Sequence, residues 1–272
     1  MVSTFPMPAA VPPVSVRVRH AEPVMGTVVS FDVPAAAVAD GSLDGAVRWL
    51  HWVDRVFSPY RPDSDVSLLA AAEITVDACA PEVAEVISAC AAIRVSSGGY
   101  FTAAPGGVFD PSGYVKGWAV ERAAALLSAA GSASHLVNGG GDLQCAGTRP
   151  AGGTAPAQPW RVGIADPFHR GRLALVVQAA DSAVATSGTA ERGSHIIDPH
   201  LGRPAGGLAS LTVVGPSLAL ADAYATAAFA MGPTRARDWT ESLALADYQA
   251  YAITTDGDTW QTAGFAPHIA PA

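Results

Sequence analysis

The chain has 272 residues, of which 50% are hydrophobic and 15% are charged. This length and composition allow a sizeable core, organised as one large domain or two small ones. The formal net charge is −8 and no Lys/Arg cluster occurs, so nucleic acids and anionic membrane surfaces are poor partners. No apolar run approaches the roughly 18 residues of a membrane span, and we expect no stable membrane insertion.

The cysteines and the N-terminal segment indicate the compartment. Cys79, Cys90 and Cys145 are too few and too scattered for a disulfide framework, and are interpreted as small buried hydrophobic residues. Residues 1–14 are rich in proline and alanine and lack the basic start and long apolar run of a signal peptide. We therefore predict a disordered lead over residues 1–13, a single domain over residues 14–272, and a cytoplasmic location.

In the first half of the chain, a pair of strands precedes three helices. The strands alternate apolar and polar residues. The helices show apolar residues on one face or a proline at a first-turn position. In order, strands are predicted over residues 14–19 and 27–33, and helices over residues 43–56, 81–95 and from Lys116 to about Gly131.

The second half contains mostly short strands, several in adjacent pairs, and a glycine- and proline-rich surface loop over residues 150–159. In order, strands are predicted over residues 135–138, 160–164, 173–179, 182–185, 195–197, 211–214 and 249–254, and helices over residues 217–231 and about 235–244. Because the strands come in hairpin-like pairs, the predicted fold class is α+β, a single mixed domain with antiparallel-rich sheets and packed helices.

The most informative stretch is FDPSGYVKGW, residues 109–118. A turn with Asp110 and Gly113 runs into an alanine-rich helix, with Lys116 at its start. The free N–H groups and partial positive charge of a helix start, together with a lysine, suit a phosphate. The alternative is an ordinary turn that caps an ordinary helix, because no Walker pattern is present.

Asp222 and Thr226 are the second feature. Their i, i+4 spacing places both oxygens on one face of an otherwise apolar helix. A carboxylate, a hydroxyl and a backbone carbonyl are hard ligands suited to Mg²⁺. The alternative is that Asp222 pairs locally and Thr226 bonds a backbone carbonyl.

The third feature is the polar segment over residues 185–204, in which hydroxyls at Thr186 and Ser187 precede His195. Histidine is the side chain best suited to proton transfer near neutral pH, although a lone histidine is more often structural. No Gly-x-Ser-x-Gly elbow accompanies it, so a hydrolase triad is not supported.

Taken in order, these motifs resemble those of the ApbE family, the flavin transferases that move FMN from FAD onto proteins. The matching segments extend over nearly the whole chain. They are residues 25–27 (MGT), 57–60 (FSPY) with Ser64, 110–117, 138–142, 163–167, 186–188, 195–199 and 221–226.

The resemblance implies a Mg²⁺-dependent FAD:protein FMN transferase, with FAD and a threonine-bearing acceptor protein as partners. It implies that Gly113, through its carbonyl, binds Mg²⁺ together with Asp222 and Thr226. Lys116, acting electrostatically, and His195, as general base, are the catalytic candidates. The implied FAD contacts are Met25, Tyr60 stacked on the isoalloxazine, Tyr100, Phe101, Asp110, Lys116, Ser187, His195 and Ile196.

The chain departs from the family pattern in several places, one of which is a much shorter stretch between Phe101 and Asp110. Pro111 and Ser112 stand where the family usually has Asp-Leu-Gly-Gly, and Thr102 replaces a carboxylate. Two alternative functions remain open: a FAD pyrophosphatase that gives FMN and AMP, and a non-catalytic FAD-binding module. Formation of AMP and FMN without an acceptor would favour the first, and intact FAD the second.

Overall fold

The computed structural model describes residues 16–150, 156–189, 193, 196–243 and 246–271. Its strands, numbered along the chain, are β1 (Arg17–Val24), β2 (Thr27–Pro34), β3 (His135–Gly139), β4 (Asp142–Ala146), β5 (Trp160–Ala165), β6 (Leu173–Ala179), β7 (Ser182–Gly188), β8 (Ile197–Asp198), β9 (Arg203–Pro204), β10 (Leu208–Gly215), β11 (Gln249–Thr254) and β12 (Thr259–Gln261). Its helices are α1 (Ala36–Ala39), α2 (Ser42–Phe57), α3 (Asp65–Ala70), α4 (Pro81–Ser96), α5 (Ser112–Ala129) and α6 (Leu218–Leu243). Single 3₁₀ turns lie at Val76–Ala78, Pro105–Gly107 and Ala266–His268.

One large sheet organises the fold. Eight strands pair in the order β1-β2-β3-β4-β7-β10-β11-β12, and every pairing is antiparallel. β5 and β6 form a separate antiparallel hairpin, and β8 and β9 form a second, short one. Tight turns join β1 to β2 and β3 to β4, as antiparallel neighbours allow.

The large sheet is covered on both faces. Successive residues of a strand point to opposite faces: in β10, Val213 packs in the main core with the helices, whereas Val214 packs in a smaller core with β5 and β6. Ala183 and Val184 of β7 divide in the same way. Helices therefore cover one face and a hairpin covers the other, and the predicted α+β class with antiparallel sheets is confirmed.

The differences from the sequence prediction concern short elements and boundaries. α1, α3, β4, β9 and β12 are absent from the prediction, because such short elements show little hydrophobic periodicity. β1 is predicted to end at residue 19, but it continues to Val24. Of the predicted strand over residues 195–197, Ile197 lies in β8, and His195 lies outside the described residues.

The two predicted C-terminal helices form one element, α6, with a kink. Gly232 at the kink has a φ of 73° and a ψ of 173°, and Pro233 follows it. Proline has no N–H to continue the helical hydrogen bonds, so the helix is interrupted there. α6 has 26 residues, but no helix among the described residues is both long enough and apolar enough to cross a membrane.

The three cysteines are free and buried, which confirms their interpretation as small hydrophobic residues. Burial raises the pKa of the Cys90 thiol to about 12 and that of Cys145 to about 12. The reactive form of cysteine is the thiolate. Both side chains are therefore inert packing groups at neutral pH.

A buried histidine joins β3 to α5. The His135 ring is fully buried, with Nδ1 3.0 Å from the Ser132 hydroxyl and Nε2 3.0 Å from the Ala124 carbonyl. The pattern fits a neutral ring in which Nε2–H donates to the carbonyl and Nδ1 accepts from the hydroxyl. Burial lowers the pKa of His135, and this effect outweighs the opposing effect of its two hydrogen bonds.

His135 should make stability depend on pH. Below the ordinary histidine pKa of 6.5, the His135 side chain binds a proton in the unfolded chain but stays neutral in the folded chain. The free energy of unfolding should therefore decrease as the pH is lowered. In His135→Gln this contribution is absent, because glutamine does not titrate. Chemical denaturation from about pH 7 to about pH 5 should give a shallower decline for the variant; equal slopes would contradict the assignment.

Candidate active site

A large cleft collects the residues that the sequence singled out. Its volume is about 1250 Å³, and the β1–β2 turn, α2, α5, β5, β7 and α6 all contribute to its wall. The predicted FAD- and Mg²⁺-binding residues that the structure describes all line it: Met25, Tyr60, Tyr100, Phe101, Asp110, Gly113, Lys116, Ser187, Ile196, Asp222 and Thr226. Ligand pockets of about 300–1000 Å³ hold drug-sized molecules, so this cleft has room for a dinucleotide.

Lys116 lies between two carboxylates in this cleft. Its Nζ contacts Oδ2 of Asp142 and lies 2.9 Å from Oδ2 of Asp222. The two carboxylate side chains are 7% and 9% exposed. Buried charges need partners, because removing one member of a buried pair leaves a costly uncompensated charge. One ammonium and two carboxylates together carry one net negative charge, which favours a further cation.

Each member of this charged cluster comes from a different element. Lys116 lies on α5, Asp142 is the first residue of β4, and Asp222 lies near the start of α6. Oδ1 of Asp142 also accepts a hydrogen bond from the backbone N–H of Thr186 at 2.9 Å. This bond joins β4 to the cleft-facing part of β7 and fixes the carboxylate in orientation.

α5 begins earlier than the sequence predicted. Ser112 is its first residue, and the Ser112 N–H donates to Oδ1 of Asp110 at 3.0 Å. The Val115 N–H donates to the Pro111 carbonyl at 3.0 Å. The predicted helix start at Lys116 is therefore wrong: Lys116 lies beyond the first turn and faces the cleft through its side chain, not through a free backbone N–H.

A two-residue turn places Met25 at the cleft. Val24 and Thr27 pair across β1 and β2, and Met25 and Gly26 between them have φ values of 53° and 68°. Positive φ at both central residues is typical of a type I′ turn. This backbone is uncommon for methionine, and such strain clusters at ligand-binding positions. The turn geometry thus favours the predicted role of Met25 at a ligand.

The three aromatic residues predicted to contact FAD differ in how much of each ring is exposed and unpacked. Tyr60 is 93% exposed. The Tyr100 ring packs edge-on against His200, with 4.5 Å between centroids, and its hydroxyl accepts a hydrogen bond from Arg235. Phe101 is buried in the main core. Tyr60 therefore has the most accessible ring face for stacking.

The predicted magnesium ligands meet one test of fit. Asp222 is a buried carboxylate on the cleft wall, and its Oδ2 is paired with the Lys116 ammonium at 2.9 Å. The Thr226 hydroxyl, one turn along α6, lies 3.4 Å from that of Ser187, and Gly113 lines the same cleft. The described residues contain no group of three or more His, Cys, Asp or Glu that could hold a metal. This sparse oxygen set suits Mg²⁺, which keeps waters and shares substrate phosphates.

Asp142, Arg94 and His200 are among the cleft residues that the sequence prediction of the site missed. Asp142 appeared only as the last residue of the 138–142 motif, although a carboxylate directly after three glycines was an available signal. Arg94 and His200 also line the cleft. Each stands at the end of an element or in a loop, where a single charged or polar residue shows no periodic pattern.

Comparison with known sequences gives a family match. A sequence model of the ApbE family matches residues 25–110 and 102–251. A FAD:protein FMN transferase from Rhodobacter capsulatus is 32% identical over 241 residues, which are 84% of this chain and 42% of that protein. The FAD:protein FMN transferase of Escherichia coli K12 is 33% identical over 163 residues, 56% of this chain and 44% of that protein. The chain thus spans less than half the length of these curated relatives.

Solved structures share the fold. The flavin transferase ApbE from Vibrio cholerae matches with a TM-score of 0.80 at 23% identity, over 93% of this chain and 99% of that one. The ApbE protein from Thermotoga maritima matches with a TM-score of 0.80 at 21% identity, over 94% of this chain and 100% of that one. At this identity the likeness concerns the fold alone.

Gly117 brings α5 and α6 together beside the charged cluster. A Cβ at this position would lie 2.7 Å from the Leu218 carbonyl oxygen, 3.0 Å from Cβ of Asp222 and 3.2 Å from Cα of Ala219. Two of these three atoms are backbone atoms, which cannot move without shifting α6. The absent side chain therefore sets the distance between Lys116 and Asp222.

Gly117→Ala should separate the two helices and destabilise the protein by about 1–3 kcal/mol, the usual cost of overpacking. Gly45→Ala is the matched control, because Gly45 lies in α2 and a Cβ there would meet only the end of the Arg48 side chain, at 3.8 Å. That substitution should be neutral or stabilise by up to about 1 kcal/mol. Urea denaturation of both variants would measure the difference in the free energy of unfolding. A Gly117→Ala variant as stable as the unaltered chain would refute the close-contact argument.

Proposed function

This chain belongs to the ApbE family, and we propose that it transfers the FMN part of FAD to a threonine hydroxyl of an acceptor protein, releasing AMP. The observation that carries the proposal is the ion cluster of Lys116, Asp142 and Asp222 inside a dinucleotide-sized cleft. The names of the relatives from Rhodobacter capsulatus and Escherichia coli support the same activity. A single domain over residues 14–272 and a cytoplasmic location stay predictions.

In the proposed reaction, the threonine oxygen attacks the FMN phosphorus of FAD. A new phosphorus–oxygen bond forms, the bond to the AMP oxygen breaks, and the threonine proton must leave. Negative charge accumulates on the phosphoryl oxygens, and the Lys116 ammonium would stabilise it. Because Asp142 and Asp222 hold this ammonium in place beforehand, it needs little reorganisation during the reaction.

We propose that Asp222, Thr226 and the Gly113 carbonyl hold Mg²⁺ at this site. Bound there, the ion would supply Lewis-acid stabilisation of the phosphoryl oxygens. The buried Asp222 carboxylate and the net negative charge of the cluster support this assignment. Asp142 supports the site indirectly, by holding Lys116 in place. Oδ2 of Asp142 binds the ammonium, and Oδ1 of Asp142 accepts a hydrogen bond from the backbone of β7.

We assign the flavin to the part of the cleft near Tyr60 and Met25. Tyr60 offers a free ring for stacking, and the strained turn at Met25 reaches the same cleft. His195, in the 195–199 motif, is the proposed acceptor of the threonine proton. Its neighbour Ile196 lines the cleft, which is consistent with that role.

The proposal is tested by incubating the protein with FAD, Mg²⁺ and a threonine-bearing acceptor protein. The expected result is an acceptor heavier by one FMN phosphoester, with AMP in equal amount. An acceptor whose threonine is replaced by valine should stay unmodified. Free FMN and AMP without acceptor would instead establish FAD hydrolysis, and intact FAD would indicate a binding module.

Asp222→Asn should abolish Mg²⁺-dependent transfer while the protein still folds. The amide keeps the shape of the side chain but loses the charge that a hard cation requires. Removal of an outer-shell partner of a metal ligand costs about 10–100-fold, so we expect loss of a direct ligand to reduce transfer at low Mg²⁺ by at least about 100-fold. Transfer would be followed across a Mg²⁺ titration, with thermal unfolding measured on the same sample.

Asp238→Asn is the control for Asp222→Asn. Asp238 is an exposed carboxylate further along the same helix and does not line the cleft. It should leave both the transfer rate and its Mg²⁺ dependence unchanged. Full activity of Asp222→Asn at low Mg²⁺ would show that the metal assignment is wrong.

His195→Ala should slow transfer by roughly 10²–10⁴-fold if His195 takes the threonine proton. FAD affinity should change far less, because that proton comes from the acceptor. Single-turnover rates at saturating FAD and calorimetric FAD binding on the same variant separate the two effects. A near-normal rate with weak FAD binding would instead make His195 a flavin contact.

A further inference from the structure

The start of α6 is held by a carboxylate from another helix. Oε2 of Glu121, on α5, accepts a hydrogen bond from the Ser217 hydroxyl at 2.7 Å and from the Ala219 backbone N–H at 2.9 Å. First-turn N–H groups of a helix have no partner within that helix, and the helix dipole favours a negative charge at that end. Glu121 therefore caps α6 across the helix–helix contact.

A second side chain holds the same helix end from the sheet. Oε1 of Gln144, on β4, accepts a hydrogen bond from the Leu218 backbone N–H at 3.1 Å, and Nε2 donates to the Pro216 carbonyl at 3.4 Å. Gln144 lies two residues after Asp142, so both side chains point to the same face of β4. The first turn of α6 is thus attached to α5 and to β4 at once.

These two attachments coincide with the elements of the charged cluster. α5 supplies both Lys116 and Glu121, and β4 supplies both Asp142 and Gln144. Asp222 follows in the next turn of the helix that Glu121 and Gln144 hold. Each element that supplies another member of the charged cluster therefore also supplies a hydrogen bond that fixes the helix carrying Asp222.

We propose that Glu121 and Gln144 are positioning residues that set the place of the Asp222 carboxylate and thereby the metal affinity of the site. The inference rests on the proposed function, since it concerns the cation assigned to Asp222. Neither residue lines the cleft, so their effect on the ligand is indirect, and their hydrogen bonds to the first turn of α6 are the contacts that transmit it. A ligand that drifts from its place binds a small cation poorly, because Mg²⁺ demands near-ideal octahedral geometry.

The test uses Mn²⁺ as a paramagnetic probe for the hard-cation site, in the full chain saturated with FAD and without acceptor. As the protein is titrated with Mn²⁺, the decrease in the electron paramagnetic resonance signal of free Mn²⁺ gives the dissociation constant. Glu121→Ala should weaken binding about tenfold or more, the range seen when supporting contacts of a metal ligand are removed. Glu121→Gln, which keeps an accepting oxygen, should stay close to the unaltered chain.

Transfer assays give a second readout. In Glu121→Ala the Mg²⁺ concentration for half-maximal rate should rise, while the rate at saturating Mg²⁺ should stay near normal. The Glu121→Ala, Gln144→Ala double variant removes both attachments and should shift the midpoint further. If the double variant does not fold, the Mn²⁺ affinity and the Mg²⁺ midpoint of the single variant Glu121→Ala decide the test.

Asp65→Ala is the matched control for a merely structural role. Oδ2 of Asp65, on α3, accepts a 2.6 Å hydrogen bond from the backbone N–H of Ala80, the N-cap residue of α4. It is likewise a carboxylate that holds the start of a different helix, but Asp65 does not line the cleft. We expect both Asp65→Ala and Glu121→Ala to lower thermal stability, because each removes a helix-end hydrogen bond, but Asp65→Ala should leave Mn²⁺ affinity unchanged.

Unchanged Mn²⁺ affinity and Mg²⁺ midpoint in folded Glu121→Ala and in the double variant would overturn the inference while the unaltered chain still transfers FMN. Equal metal effects of Asp65→Ala and Glu121→Ala would overturn it too, because general destabilisation would then explain both. An unaltered chain that neither binds Mn²⁺ nor transfers FMN would instead remove the proposed function, and the inference with it.

Discussion

The close packing of α5 against α6 determines both the core and the charged cluster. Because Gly117 has no side chain, the backbone of α6 can approach α5 closely enough for Asp222 to reach Lys116. A buried carboxylate is tolerated only with a partner at short range. Any change that separates the helices therefore exposes the core and leaves Asp222 without its counter-charge, so the stability of the fold and the integrity of the site are linked.

The cleft divides into a rigid part and a variable part. Lys116, Asp142 and Asp222 stand on helices and a strand whose ends are fixed by side-chain hydrogen bonds, which suits groups that must meet a phosphoryl group at fixed distances. Tyr60 and Tyr100 stand in the connections around α3 and after α4, outside regular elements. Loops tolerate substitution more readily than a packed helix pair, so ligand specificity can change while the charged cluster stays in place.

The sequence predicted long amphipathic elements and local pairs well, and non-local contacts poorly. α2 and α4 were predicted to within one residue at each end, because apolar spacing and Pro81 define them. The i, i+4 spacing of Asp222 and Thr226 is local and was also visible. The contact between Lys116 and Asp142 joins residues 26 apart, and no periodicity encodes it. The start of α5 was missed because Asp110 to Gly113 has turn composition, although the Asp110 carboxylate accepts a hydrogen bond from the N–H of Ser112, the first helical residue.

The charge of the cluster explains why a diphosphate and a metal would bind together under the proposed function. The chain carries a formal net charge of −8, and the Lys116 ammonium is already shared by two carboxylates. A diphosphate alone would therefore meet a site that is negative overall, and a divalent cation alone would receive few oxygen ligands from the chain and would keep waters at its other positions. Each supplies what the other needs, since the cation offsets the charge and the diphosphate completes the coordination. Because linkage is reciprocal, FAD must strengthen metal binding by the same factor by which the metal strengthens FAD binding.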